Sequence, residues 1–168
     1  MKTLIKLLML NLILISSESF ADFEEERFCL AKNIYFEAGN QPFSGKLAVA
    51  NVTMNRVSSE QFPDDVCSVV YQSKRWRVSE VTNALVPVKG SCQFSWFCDG
   101  KSDTPKDSIT WLKAIRIAGM ALTEKPVDIT EGALWYHANY VCPYWASHLE
   151  RIVRIENHIF YKLSLIHI

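Results

Sequence analysis

The chain has 168 residues, 18 Lys and Arg against 18 Asp and Glu, and is 49% hydrophobic and 12% aromatic. One globular domain fits that length, and a mean hydropathy of +0.02 with only six Gly and six Pro excludes collagen-like, low-complexity and disordered classes. The charge balance argues against a nucleic-acid partner, because phosphate contacts need a surplus of Lys and Arg.

Residues 1–21 read as a secretory leader. Lys2 and Lys6 supply the positive start, Leu7 to Ile15 is apolar apart from Asn11, and Ser19-Phe20-Ala21 puts small residues where a signal peptidase inspects the chain. A membrane anchor is the alternative, but the apolar run is about half of the roughly 20 residues a spanning helix needs. The expectation is a secreted or periplasmic protein with no stable membrane insertion once the leader is cut. Residues 22–168 carry no repeat, charge block or Gly/Ser linker and are expected to form one domain. A domain of that size buries roughly 68–70% of its unfolded surface, so it needs no staples. Export nevertheless permits disulfides. Five Cys are an odd number, so at least one is free or paired between chains. Cys92 and Cys98 are close enough for a local bridge, and Cys29 with Cys67 would be the other pair, among several possible pairings.

Phe23 to Ala38 is predicted helical, with Phe28, Ala31, Ile34 and Tyr35 on one stripe. Gly39-Asn40-Gln41-Pro42 stops it, with Gly39 placed where a positive φ is needed. Ser44 is expected to cap a second helix that buries Leu47, Ala50, Met54 and Val57. Pro63-Asp64-Asp65 opens a short third helix through Tyr71, with acids in its first turn to suit the dipole. Residues 73–105 lack periodicity and hold Trp76, Phe94, Trp96 and Phe97 among Gly, Ser, Asp and Pro. Such a stretch is either a binding segment or a loop folded over its own small core. Asp107 or Ser108 caps a further helix, with Ile109, Leu112, Ile115, Gly119 and Leu122 at helical spacing. Gly132 to His137 reads as a strand. Arg151–Ile155 and His158–Tyr161 read as a hairpin turning at Glu156-Asn157. Helices first and a small sheet late predict an α+β domain.

Glu37 is the candidate catalytic group. It stands near the end of the first helix among Ile34, Tyr35, Phe36 and Ala38. Apolar walls disfavour the charged form of a carboxyl and raise its pKa. A carboxylic acid kept protonated near neutral pH can donate its proton to a glycosidic oxygen. The bland alternative is a solvated glutamate at a helix end.

Several blocks, taken in order, resemble the SleB/CwlJ cell wall hydrolases, the family of the spore cortex-lytic enzymes. Residues Cys29 to Ala38 look like its opening motif, Gly45 to Val57 like the helix that follows, and Phe62 to Gln72 like the next block. Cys92-Gln93-Phe94-Ser95-Trp96-Phe97-Cys98-Asp99-Gly100 is the most distinctive. Gly132 to Ala138, Pro143-Tyr144-Trp145-Ala146 and His158-Ile159-Phe160-Tyr161 complete a similarity covering about residues 28–162. The resemblance implies an α+β fold similar to lysozyme-like lytic transglycosylases, mainly helical with a small antiparallel sheet. It implies a peptidoglycan hydrolase cutting between N-acetylmuramic acid and N-acetylglucosamine; a monomer with no cofactor and no metal is the expectation, with oligomeric state and metal dependence left open by the sequence. Its single essential acid maps onto Glu37, which would act as acid and then as base while the muramyl 6-hydroxyl closes an anhydro ring. That chemistry does not require the two carboxylates of ordinary glycosidases.

By the same resemblance Gln93, Ser95, Trp96 and Asp99 would line the glycan cleft, since sugar C–H faces stack on indole and hydroxyls pair with amides and carboxylates. Tyr136 and His137 would lie near Glu37 as orienting or substrate-contacting groups. Three departures stand out. Gly39-Asn40-Gln41-Pro42 replaces a family segment that carries Arg and Glu, so a guanidinium near the acid and a second carboxylate are expected to be missing. Glu156 stands where the family usually has Gly. Cys142 is not a family position and is expected to be the unpaired thiol.

Three rival readings remain. His137, His148 and His158 could be zinc ligands, although no His-Glu-x-x-His or Cys-x-x-Cys spacing is present. Cys29 with His137 could form a thiol endopeptidase acting on wall peptides. A non-catalytic peptidoglycan-binding module would keep the aromatics and lose activity.

Overall fold

The first helix, α1 (Lys2–Ala38), runs unbroken for 37 residues in the computed structural model, which describes the backbone of residues 2–124 and 126–164 and the side chains of 20–124 and 126–164. The expected leader, residues 1–21, lies almost wholly outside the described side chains. Among the described residues, no helix is long and apolar enough to cross a membrane. From Cys29 onward α1 enters the core: Leu30, Ala31, Ile34 and Ala38 are fully buried. The stripe is rotated slightly from expectation, because Phe28 remains 49% exposed at the edge, its ring against Trp111.

Gly39 follows α1 without a positive φ, contrary to expectation; it is absent from the left-handed positions, which include Gly90, Gly100 and Gly132. Its lack of a side chain matters for another reason. A Cβ there would collide with the Tyr35 carbonyl oxygen and press to 3.2 Å from Thr110 Cγ2.

The second helix, α2 (Phe43–Val57), passes through the middle of the molecule. It buries Leu47, Ala48, Val49, Ala50 and Val52 together with Lys46, Asn51, Thr53 and Arg56. It is therefore covered nearly all round, and Met54 and Val57 of the expected face are only partly buried. Ser44 does not cap it: the N-cap is Pro42, with no side-chain bond, and the Ser44 hydroxyl donates instead to Glu156 at 2.8 Å. The third helix, α3 (Val66–Val70), is shorter than expected and is capped by Asp65, which accepts from Ser68 N. The last helix, α4 (Ser108–Thr123), is capped by Asp107 as expected. Its buried face is Ala114, Ile117, Ala118 and Ala121 rather than the expected stripe, and Ile109 and Leu112 face solvent. Small residues win that face because α4 lies close against α1 and α2, where alanines let the backbones approach.

Residues 73–105 are more ordered than their composition suggests. They contain a two-stranded antiparallel hairpin, β1 (Trp76–Val78) and β2 (Leu85–Pro87), and a single 3-10 turn at Ser95–Cys98. The late sheet has three antiparallel strands in the order β3 (Trp135–Ala138), β5 (His158–Lys162), β4 (Glu150–Ile155). The hairpin turns at Glu156-Asn157 as expected. Glu156 takes φ 51°, so the turn keeps a left-handed residue without glycine. One sheet face, carrying Tyr136, Phe160, Val153 and Ile155, packs on Ala48 and Val52 of α2. Helices and small antiparallel sheets thus make one α+β domain. Disulfides join Cys29 to Cys67 and Cys92 to Cys98, and Cys142 is free and exposed.

Candidate active site

Glu37 lies on the last turn of α1, and three contacts fix that turn. One turn earlier, the buried Asn33 donates to Thr53 Oγ1 of α2 at 3.1 Å and accepts from the Trp96 indole N–H at 3.0 Å. Just beyond the turn, the buried Lys46 ammonium donates to the Gly39 carbonyl at 2.9 Å and to the Gln41 carbonyl. The cation sits just past the C-terminal end of α1, where positive charge suits the helix dipole. On the α4 side, the Tyr35 hydroxyl accepts from the backbone N–H groups of Lys106 and Asp107, both at 3.0 Å.

The carboxyl itself meets two groups from other elements. The Tyr136 hydroxyl on β3 donates to Glu37 Oε2 at 3.0 Å. Oε1 makes no hydrogen bond within the described protein. Burial raises the Glu37 pKa; the Tyr136 bond and the Arg56 charge pull the other way and do not cancel it. Tyr136 is pushed well above its ordinary value, first by burial and then by the Glu37 charge, so its hydroxyl stays a donor.

Arg56 supplies the guanidinium that the sequence appeared to lack. It reaches the site from α2 rather than from the segment after Glu37, and it is only 4% exposed. Its Nε donates to the Leu134 carbonyl at 2.8 Å, and its head lies 4.8 Å and 5.1 Å from the ring centroids of Phe94 and Phe62. Nη1 is buried without a partner among the described residues. Burial lowers its pKa, while Tyr136 and Glu37 favour the charged form. A guanidinium remains protonated in such a setting. The sequence did contain a signal: Val49, Val52 and Arg56 share one helical stripe, and a cation on an apolar stripe needs a reason to be there.

Beside this cluster opens a cleft of ≈ 640 Å³. Arg56 and Tyr136 form part of its wall, and Glu37 stands behind them through the Tyr136 bond. Trp135, Tyr144, Trp145 and His148 line the sheet side, and Lys74, Ser91 and Gln93 line the side at the base of the β1–β2 hairpin. The β3 register is held by α2: Asn55 Nδ2 bonds Asp128, Thr130 and the Ala133 carbonyl, and Asn51 accepts from Ile129 N.

Of the residues expected at the site, the structure brings Glu37, Tyr136 and Gln93 to this region. Trp96 is 7% exposed, its ring stacked on Phe36 at 4.7 Å, and so serves as core. Ser95 is exposed and does not line the cleft. Asp99 pairs with Lys101 at 3.3 Å and bonds its backbone N–H, closing a turn with Gly100. His137 points to the other face of β3 from Tyr136, where its ring nitrogens meet the Tyr161 hydroxyl and the Ala138 carbonyl at 2.9 Å each. Trp135, Tyr144, Trp145 and His148 were not expected at the site. For Tyr144 and Trp145 the visible sign in the sequence is an aromatic pair directly behind Pro143.

The thiol-endopeptidase alternative fails on chemistry, because Cys29 is bonded to Cys67 and offers no nucleophile. No group of three His, Cys, Asp or Glu among the described residues is arranged to hold a metal ion.

A family model described as cell wall hydrolase matches residues 40–161, beginning just after Glu37. A spore cortex-lytic enzyme of Halalkalibacterium halodurans is 42% identical over 43 residues, which are 26% of this chain and only 13% of that enzyme's length. Two solved structures share the fold across 82% of this chain. The catalytic domain of Bacillus cereus SleB has a TM-score of 0.56 at 24% identity, with 91% of it covered. The catalytic domain of the germination-specific lytic transglycosylase SleB from Bacillus anthracis has a TM-score of 0.58 at 26% identity, with 93% covered.

Proposed function

Because this chain belongs to the cell wall hydrolase family, we propose that it cuts peptidoglycan glycan strands between N-acetylmuramic acid and N-acetylglucosamine as a lytic transglycosylase, with Glu37 as its one acid and base. The observation that carries the reading is a carboxyl with a raised pKa whose Oε2 is held by Tyr136 and whose Oε1 has no partner among the described residues, set beside an aromatic cleft. In this scheme the proton sits on Oε1 and passes to the glycosidic oxygen as the C1–O bond breaks. Glu37 is then a carboxylate, which Arg56 and the Tyr136 hydroxyl stabilise in place. The muramyl 6-hydroxyl attacks C1, its proton returns to Glu37, and a 1,6-anhydro ring closes with no water consumed. Among the described residues no Asp or Glu lines the cleft, so Glu37 behind the Tyr136 bond has no carboxylate partner there, which fits this route better than water-dependent hydrolysis by paired acids.

Two disulfides suit an oxidising compartment outside the cytoplasm, and residues 1–21 are proposed as the leader that delivers residues 22–168 there. Digestion of purified peptidoglycan, with mass spectrometry of the fragments, tests the reading. Anhydromuramyl ends that disappear in Glu37→Gln are expected. Reducing ends would replace the transglycosylase step by hydrolysis, and new free amines would mean peptide cleavage and end the proposal.

A further inference from the structure

The cleft is chemically lopsided. Its sheet side offers the rings of Trp135, Tyr144 and Trp145, which suit the C–H faces of sugars. Its hairpin side offers Lys74, Ser91 and Gln93, and no carboxylate lines the cleft at all. Lys74 is exposed and makes no ion pair among the described residues. Its backbone is nonetheless held rigidly: Lys74 N donates to the Ser91 carbonyl at 2.9 Å, the Ser73 and Ser91 hydroxyls meet at 2.7 Å, and Ser73 bridges to Cys92, which is bonded to Cys98. A cation is thus mounted on a braced strand end with nothing of its own to neutralise. Arg56 adds a second, buried positive charge to the same wall.

An uncharged glycan can use these groups only as hydrogen-bond donors and would leave the Lys74 charge without a counter-charge. In a peptidoglycan strand the negative charge resides on the peptide attached through the muramyl lactyl group, which leaves the sugar on one side only. We propose that Lys74 binds a free carboxylate of the stem peptide, so that the cleft selects peptide-bearing muramyl units over bare or amidated ones. This deepens the glycan-strand reading above and rests on it.

The test compares three soluble fragments of equal glycan length: one with stem peptides bearing free carboxylates, one with those carboxylates amidated, and one stripped of peptide. The expected kcat/KM is roughly three- to fivefold higher for the free-carboxylate fragment, the scale of one exposed charge pair. The preference should shrink as salt rises. It should approach one in Lys74→Gln and return in Lys74→Arg. Equal kcat/KM for free and amidated fragments, or a preference that survives in Lys74→Gln, would overturn it. Binding of the same fragments to the Glu37→Gln chain, read by calorimetry, decides the question even where no bond is cut. Failure to cleave any fragment, with binding preference intact, would break the glycan-cleavage reading and leave the carboxylate site standing.

Discussion

Segments 92–99 and 135–145 look alike as sequence, each short, aromatic and studded with polar residues, yet the molecule uses them in opposite ways. The first folds inward. Phe94 and Trp96 are 2% and 7% exposed, and the Trp96 N–H finds its acceptor in the buried Asn33. The second faces the cleft, with Tyr144 85% exposed and Trp135 and Trp145 partly so. The difference lies in what each segment is tied to. A disulfide curls residues 92–98, and Trp96 meets Asn33 and Phe36 of α1. Strand pairing to β5 instead forces alternation on β3, so Tyr136 turns to Glu37 and its neighbour His137 turns away. An aromatic residue becomes core or binding surface according to whether a buried partner waits for its polar atom.

Four sets of substitutions sharpen that contrast. The largest effect belongs to Glu37→Gln: cleavage of peptidoglycan should fall by about 10³-fold, within the range for loss of a general acid. The same variant should be more stable than the parent. A folded-state pKa above the unfolded one means the unfolded chain ionises first, so stability is lost as pH rises through the unfolded and then the folded pKa. Thermal melting should therefore show a gain for Glu37→Gln at pH 7 that vanishes near pH 3, with roughly 2–4 °C for each kcal/mol recovered. A Glu37→Gln chain that melts below its parent at pH 7 would contradict a desolvated carboxyl.

Next come the two tryptophans. Trp96→Ala should cost about 3–5 kcal/mol in denaturant unfolding, as a cavity plus an orphaned Asn33. Trp145→Ala should cost less than half of that and appear mainly as a raised KM. Reversed ranks would mean that the two segments had been assigned to the wrong sides of the protein.

The disulfides should differ similarly. Cys29–Cys67 closes a separation of 38 residues and Cys92–Cys98 one of 6. Loop entropy alone predicts about 4 and about 2 kcal/mol on removal of each pair by paired Ala substitution. The smallest contrast is between neighbours on β3. Tyr136→Phe removes a bond that favours the Glu37 carboxylate, so the alkaline limb of the pH–rate profile should move up while kcat falls roughly two- to tenfold. His137→Ala should lower stability and leave that limb where it is.

Much of the helical frame could be read from the chain. The Asp107 cap and the hairpin at Glu156-Asn157 follow from local chemistry that the tertiary structure does not override, and α1 stops after Ala38 as expected although not through a left-handed Gly39. The buried faces of α2 and α4 were harder. A helix surrounded on all sides has no single stripe, and alanines carry little hydropathy yet own the closest contacts. At the site, Glu37 was legible as a carboxyl on an otherwise apolar helix end, although the groups that meet it, Tyr136 and Arg56, come from other elements. Arg56 was not, because its nearness to Glu37 is made by the packing of α2 on α1 and not by spacing along the chain. Trp96 misled for the same reason: its partner Asn33 is 63 residues away in sequence.

Titration of the Glu37 carboxyl by carbon NMR, in the parent and in Tyr136→Phe, bears most directly on the site. A pKa above the ordinary 4.5, rising further when the Tyr136 hydroxyl is removed, is the expected result. A value at or below 4.5, unmoved by that change, would describe a solvated carboxylate with no proton to give, and the proposed chemistry would have no donor.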